Sequence, residues 1–221
     1  SPASSIVSFA LSNPSFVLSD NDKERLISLL LASNDEKWAI LSSNLDLSNI
    51  IQIILVMRTY RKAAKELGPL FLPHVMKILP SFIGVHEFFS SVQVTTNEEA
   101  ILIRQAKTSV ITAIESVVFF LGHYSTYVIE FVISSILQLA NNFGNSPKET
   151  RDFAQLRLFG YLCEKHSDFV MSNIEMLFTC LFMPTVDVIF NSDEEMSDAF
   201  DEDVLNFHRI SLLEFIKGTV K

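Results

Sequence analysis

The residues able to do chemistry in this sequence are few and scattered. Cys163-Glu164-Lys165-His166 has the C-x-x-H spacing of half a zinc site, but a zinc site needs further ligands and only Cys180 is available to add. Cys163 therefore reads as a core residue and His166 as the polar end of a helix. Carboxylates crowd the stretch from Asp187 to Asp203, which holds eight acidic residues and no basic ones. General acid–base work needs partly buried carboxylates with separated pKa values, whereas this composition favours a solvated loop. Asp193, Glu194, Glu195, Asp198, Asp201, Glu202 and Asp203 are thus a candidate acidic contact for a basic partner. Arg58, Arg61, Lys62 and Lys65 recur at helical spacing as the opposite case, a solvated face or a docking stripe for an acidic protein segment. The six glycines are isolated, so no loop cradles phosphate, and neither G-x-S-x-G nor H-E-x-x-H occurs. The expectation is a binding or structural protein with no catalytic residues, no metal and no cofactor.

The elements that must position these groups are helices. With 48% apolar composition, 221 residues can bury a substantial core as one domain or as a short repeat array. The formal charge of −9 opposes binding of nucleic acid or anionic lipid by the chain as a whole, and favours basic partners. Two cysteines are too few for a disulfide scaffold of this size, which points to a reducing compartment. No unbroken run of eighteen apolar residues suggests a membrane span. Ser1 to Ser19, with Pro2 and Pro14, stays unassigned and reads as a boundary segment rather than a signal peptide.

Asn49 to Phe89 reads as two long helices joined at Gly68-Pro69, with Ile53, Met57, Tyr60, Ala64 and Leu67 as the buried stripe of the first. Leu72 to Phe89 is apolar over most of its circumference and needs several neighbours, and Pro80 inside it should kink or break it. Before this hairpin, a short helix over Asp20 to Leu31 is followed by a second one opened by the capping box Ser33 to Glu36. Thr96 to Glu99 is another capping box, opening a helix to Gly122 with stripes Ile103, Ala106, Val110, Ala113, Val117 and Ile111, Ile114, Val118, Leu121. Tyr124 to Asn142 follows, with Tyr127, Phe131, Ser135 and Leu139 on one face, Val128, Val132 and Ile136 adjacent, and Gly144 as its stop. Ser146-Pro147-Lys148-Glu149 predicts a helix start, running to His166; Asp168 to Met183 predicts another, ended by Pro184; the last spans Asp201 to Lys217 and ends at Gly218. At such spacings the nineteen phenylalanines read as core rather than as an aromatic binding surface.

Helix starts near Asp46, Thr96, Ser146 and Asp201 imply a unit of about 50 residues. The fold class expected is all-α: a HEAT-repeat solenoid of antiparallel helix pairs in a right-handed superhelical array. One array covers 1–221, with approximate repeats 20–45, 46–95, 96–145, 146–200 and a partial 201–221. The last helix is expected to lack a partner and the chain to continue beyond Lys221, so that exposed end faces self-associate or fray.

Leu30-Leu31-Ala32-Ser33-Asn34-Asp35-Glu36-Lys37-Trp38, Arg61-Lys62-Ala63-Ala64-Lys65-Glu66-Leu67-Gly68, Ile103-Arg104-Gln105-Ala106-Lys107-Thr108, and the acidic stretch leading to His208-Arg209 carry a resemblance. In order and spacing they resemble the middle-to-late HEAT repeats of the exportin one family of nuclear export receptors, in the importin-beta/karyopherin superfamily. The resemblance covers most of Leu26 to Lys217; Pro80 and the stretch Asp193 to Asp203 depart from the family pattern. It implies a receptor that binds Ran-GTP and leucine-rich export-signal cargo cooperatively, with nucleoporins as further partners, shuttling between nucleus and cytoplasm. The family's export-signal groove falls upstream of Ser1, so no groove residue is assigned and this segment is expected to be scaffold beside it. A HEAT-repeat regulatory scaffold of a phosphatase or other multiprotein complex is the alternative that the repeats alone allow.

Overall fold

A computed structural model describes residues 19–190 and 202–220, and every regular element among them is helical. Helix α1 spans Asp20–Ser43, with Ser19 as N-cap accepting from the Asp22 amide. The break expected at Ser33 does not occur. Leu31, Asn34, Trp38 and Leu41 form one unbroken buried stripe through that position, and a capping string starts a helix only where the preceding residues leave it. Asp35 turns inward instead, accepting from the Tyr60 hydroxyl at 2.6 Å with His74 Nε2 at 3.1 Å. Burial, then this carboxylate, pushes the Tyr60 phenol above its usual range.

Asp46 caps a 3₁₀ turn, Leu47–Asn49, accepting from the Ser48 amide, and α2 (Ile50–Leu67) follows with its expected stripe buried throughout. At Gly68 the chain takes φ 56° and ψ −132°, and the Phe120 ring stands 3.4 Å from where a Cβ would be. Gly68→Ala is expected to cost about 1–3 kcal/mol from backbone strain alone, read as a lower urea midpoint at unchanged slope.

Helix α3 (Leu72–Ser91) does not break at Pro80. The proline removes the donor for the Met76 carbonyl, but Val75, Leu79, Phe82, Ile83 and Phe89 are buried on both sides of it and hold the segment helical. Trp38 Nε1 donates to Ser81 Oγ at 2.7 Å, and that hydroxyl donates to the Ile78 carbonyl, which ties α1 to this turn.

Thr96 caps α4 (Asn97–Val118) by accepting from the Glu99 amide; Glu99 accepts in return from Thr95, one residue earlier than a capping box requires. Both predicted stripes are buried, although the helix stops short of Gly122. In helix α5 (Thr126–Asn145) Leu139 of the expected face and its neighbours Val132 and Ile136 are buried, with Ile133, Ala140 and Phe143, whereas Tyr127 is 74% and Phe131 37% exposed. Gly144 does not stop this helix. It lies inside it, where the Cys180 carbonyl approaches to 3.3 Å of the Cβ position.

Ser146-Pro147-Lys148-Glu149 makes only a 3₁₀ turn over Lys148–Thr150, and α6 begins later, as Ala154–Lys165. The Ser146 hydroxyl donates back to the Asn142 carbonyl and receives the Lys107 ammonium, so it caps nothing ahead of it. Helix α7 (Ser167–Phe190) passes through Pro184. A π-helical stretch, Phe178–Phe182, widens the turn before the proline and accommodates its ring. Helix α8 (Glu202–Thr219) runs past Gly218 and lies along α6, with Gly160 and Gly218 at the crossing.

The helices form two rows. In one, α2, α4, α6 and α8 stack in sequence; in the other, α3 packs on α5 and α5 on α7, and α1 packs on the α2–α3 hairpin. The core runs between the rows and includes fully buried Phe71, Phe82, Phe89, Phe143, Phe159 and Phe215. Two stretches, Leu47–Ser91 and Ser167–Phe190, are long and apolar enough by composition to cross a bilayer, which a search for unbroken apolar runs misses. The first contains the Gly68 corner, and one face of the second, Val170, Leu177, Leu181 and Val188, is buried in the core.

Candidate functional site

The predicted basic stripe lies on the outside of α2, and all four side chains are exposed. The structure divides them. Lys62 pairs with Glu66 at 3.7 Å, one turn along the same helix, whereas Arg61 and Lys65 border a cleft of about 440 Å³. The other walls come from the C-terminal end of α4, through Glu115, Phe119 and Phe120, and from Arg157 on α6. Arg157 is engaged there in a two-pronged pair with Glu115, Nε to Oε1 at 2.7 Å and Nη2 to Oε2 at 2.6 Å. This hydrogen bonding is the first cause holding its guanidinium above its ordinary pKa. Phe119 is 59% exposed and rests against Tyr161, with ring centroids 4.9 Å apart. The cleft thus sets two cations, neither in an ion pair among the described residues, beside an exposed aromatic side chain, an arrangement suited to recognition. Arg58 lies outside it.

Of the predicted acidic group, Asp193, Glu194, Glu195, Asp198 and Asp201 lie outside the described residues, as do the side chains of Glu202 and Asp203. Cys163 is buried, and burial pushes its thiol up to about 11; Cys180 is half-buried with Asn141 Oδ1 at 3.6 Å. His166 ends α6. Among the described residues, no three His, Cys, Asp or Glu side chains come together as metal ligands.

Sequence reading missed a buried polar cluster between α3, α4 and the turn before α6. Asp152 is fully buried; its Oδ1 accepts from Thr108 Oγ1 at 2.9 Å and from the Ala154 amide at 3.1 Å. Lys107, also fully buried, donates to Ser146 Oγ at 2.9 Å. Its pKa is pushed down to about 8 by burial, against the upward pull of Asp152. Gln155 Nε2 lies 3.2 Å from His86 Nε2, and Ser90 Oγ lies 3.5 Å from His86 Nδ1. Burial lowers the His86 pKa, so the ring is neutral and its 3.8 Å approach to Asp152 is no ion pair. Arg151 reaches the Pro184 and Gly144 carbonyls, while Arg104 holds the Glu149 carbonyl. The cluster pins the connection 146–153 across both helix rows. The available signal was Arg104, Lys107 and Thr108 on the inward side of α4, against Asp152 and Gln155 in an otherwise apolar stretch.

No family model matches the chain, and no curated protein does.

Proposed function

We propose that this chain is a scaffold segment of a nuclear export receptor, which carries leucine-rich export-signal cargo out of the nucleus in a complex with Ran-GTP. The observation that carries the reading is the two-row stacking of every second helix, with starts at Ile50, Asn97, Ala154 and Glu202. A recurring unit of about 50 residues that packs on its neighbours supports a solenoid reading, with units somewhat longer than the usual HEAT repeat of about 40–47 residues. The ordered resemblance of the Arg61–Gly68 and Ile103–Thr108 segments to exportin one repeats supplies the particular class. In such an array small rotations between units add up, so two ligands bound at different repeats can favour the same curvature. The chain would shuttle between nucleus and cytoplasm, with nucleoporins as further contacts, and act without cofactor, metal or catalysis.

The test is fluorescence anisotropy of a labelled leucine-rich export peptide on the intact parent polypeptide, with Ran-GTP, with Ran-GDP and without Ran. Tightening by Ran-GTP alone is the expected result. A folded parent that binds neither ligand overturns the reading and leaves a helical regulatory scaffold, of the kind that organises phosphatase complexes, as the better account.

A further inference from the structure

We propose that the cleft between α2, α4 and α6 is a docking site for a short acidic peptide segment of a partner protein, anchored by one aromatic or large aliphatic side chain. The proposal stands apart from the export reading.

Charge sets the first half of the specificity. Arg61 and Lys65 sit one helical turn apart on α2, both exposed and both on the cleft, and among the described residues neither is in an ion pair. The third cation, Arg157, is already matched by Glu115, which fixes that wall and leaves the two α2 cations as the unmatched charge. Two exposed cations on a chain of net charge −9 are a local exception to its overall field. A long polyanion such as RNA would meet the two cations and then the acidic remainder of the surface. A segment with two or three carboxylates would meet the two α2 cations and a Glu115 already matched by Arg157.

The second half is apolar. Phe119 is held by Tyr161 in a fixed position, yet leaves more than half of its surface to water. Phe120 lines the same cleft and is itself fixed by its contact with the Gly68 corner. An aromatic wall supported from behind, next to two cations, has the makeup of a peptide anchor pocket with a charged rim. The cleft's volume, about 440 Å³, holds a few residues rather than a folded domain.

The experiment uses the 221-residue chain. The probe is a fluorescein-labelled decapeptide of glutamates around one central phenylalanine, followed by anisotropy at low and moderate salt. Saturable binding is expected, falling about tenfold in the double charge reversal Arg61→Glu/Lys65→Glu and also in Phe119→Ala, but unchanged in Arg58→Glu. The same peptide with alanine at its centre should bind several-fold more weakly, and an oligouridylate of equal charge should not bind. Because these side chains lie on the surface, the helical circular dichroism and melting temperature of the variants should match the parent chain. Absence of saturable binding, equal binding of the alanine peptide, wild-type affinity in both cleft variants, or preferential binding of the oligouridylate would each overturn the proposal.

Discussion

Replacing Asp152 by alanine should lower the unfolding free energy by about 3–5 kcal/mol, because two buried donors lose their acceptor and a buried cation loses an opposing charge. For a chain of this length that corresponds to roughly 6–20 °C in melting temperature. The substitution does three things at once. It orphans the Thr108 hydroxyl and the Ala154 amide, both of which donate to Oδ1. It also removes a carboxylate whose charge offsets the burial of the Lys107 ammonium. Adding Lys107→Met to that variant should then restore about 1–3 kcal/mol, because the uncompensated cation leaves with it. Strict additivity of the two substitutions in urea unfolding would sink the idea that they form one electrostatic unit.

The same lysine gives the chain a pH signature. Its folded pKa lies near 8, below the ordinary 10.5 that it regains on unfolding. Between those values the unfolded chain binds more protons than the folded one, so this contribution to stability rises with pH, on the order of 3 kcal/mol across the window. Cys163 opposes it. Its thiol is pushed up to about 11, so above its ordinary value the folded state holds the extra proton and stability falls. The difference between the parent chain and Lys107→Met isolates the rising part; a difference that stays flat from pH 8 to 10.5 would remove Lys107 from the account.

How legible this was from sequence depends on the kind of interaction. The stripes of α2 and α4 were readable because Ile53 to Leu67 and Ile103 to Val117 repeat at the helix period and pack as that period dictates. Local capping signals fared worse. Ser33 and Ser146 carry the right neighbours for a helix start, but the first is overruled by the continuous stripe through Leu31, Trp38 and Leu41, and the second is claimed by Lys107, 39 residues earlier in the chain. Both prolines expected to end helices failed to do so, because packing on either side of Pro80 and a π-turn before Pro184 absorb what each ring disrupts. The basic stripe was visible as four residues, yet which two matter depends on Phe119, Arg157 and Glu115, which lie 54 residues or more from Arg61 and meet it only through the stacking of alternate helices. Sequence spacing finds faces of helices; it does not find what a second helix brings to them.

The crossing of α6 and α8 turns one substitution into two opposite predictions. Glycine in a helix interior is normally about 1 kcal/mol worse than alanine, so a glycine kept there calls for a reason. Gly84, exposed on α3 with open space where a Cβ would be, has no such reason, and Gly84→Ala should stabilise by about 0.5–1 kcal/mol. At Gly160 a Cβ would stand 2.8 Å from both the Glu214 carbonyl oxygen and Phe215 Cα, and at Gly218 it would run into the Gly160 backbone. Backbone cannot swing aside as a side chain can, so the two helices must part. Parting them loosens Phe215, which is fully buried. Gly160→Ala and Gly218→Ala are each expected to cost about 3 kcal/mol net of the propensity gain, at the upper end of overpacking penalties. Either methyl group alone forces the separation, and the gap it opens makes room for the other. The double variant should therefore cost less than the sum of the two, whereas full additivity would mean that the methyl groups are accommodated separately and that α6 and α8 are not in backbone contact.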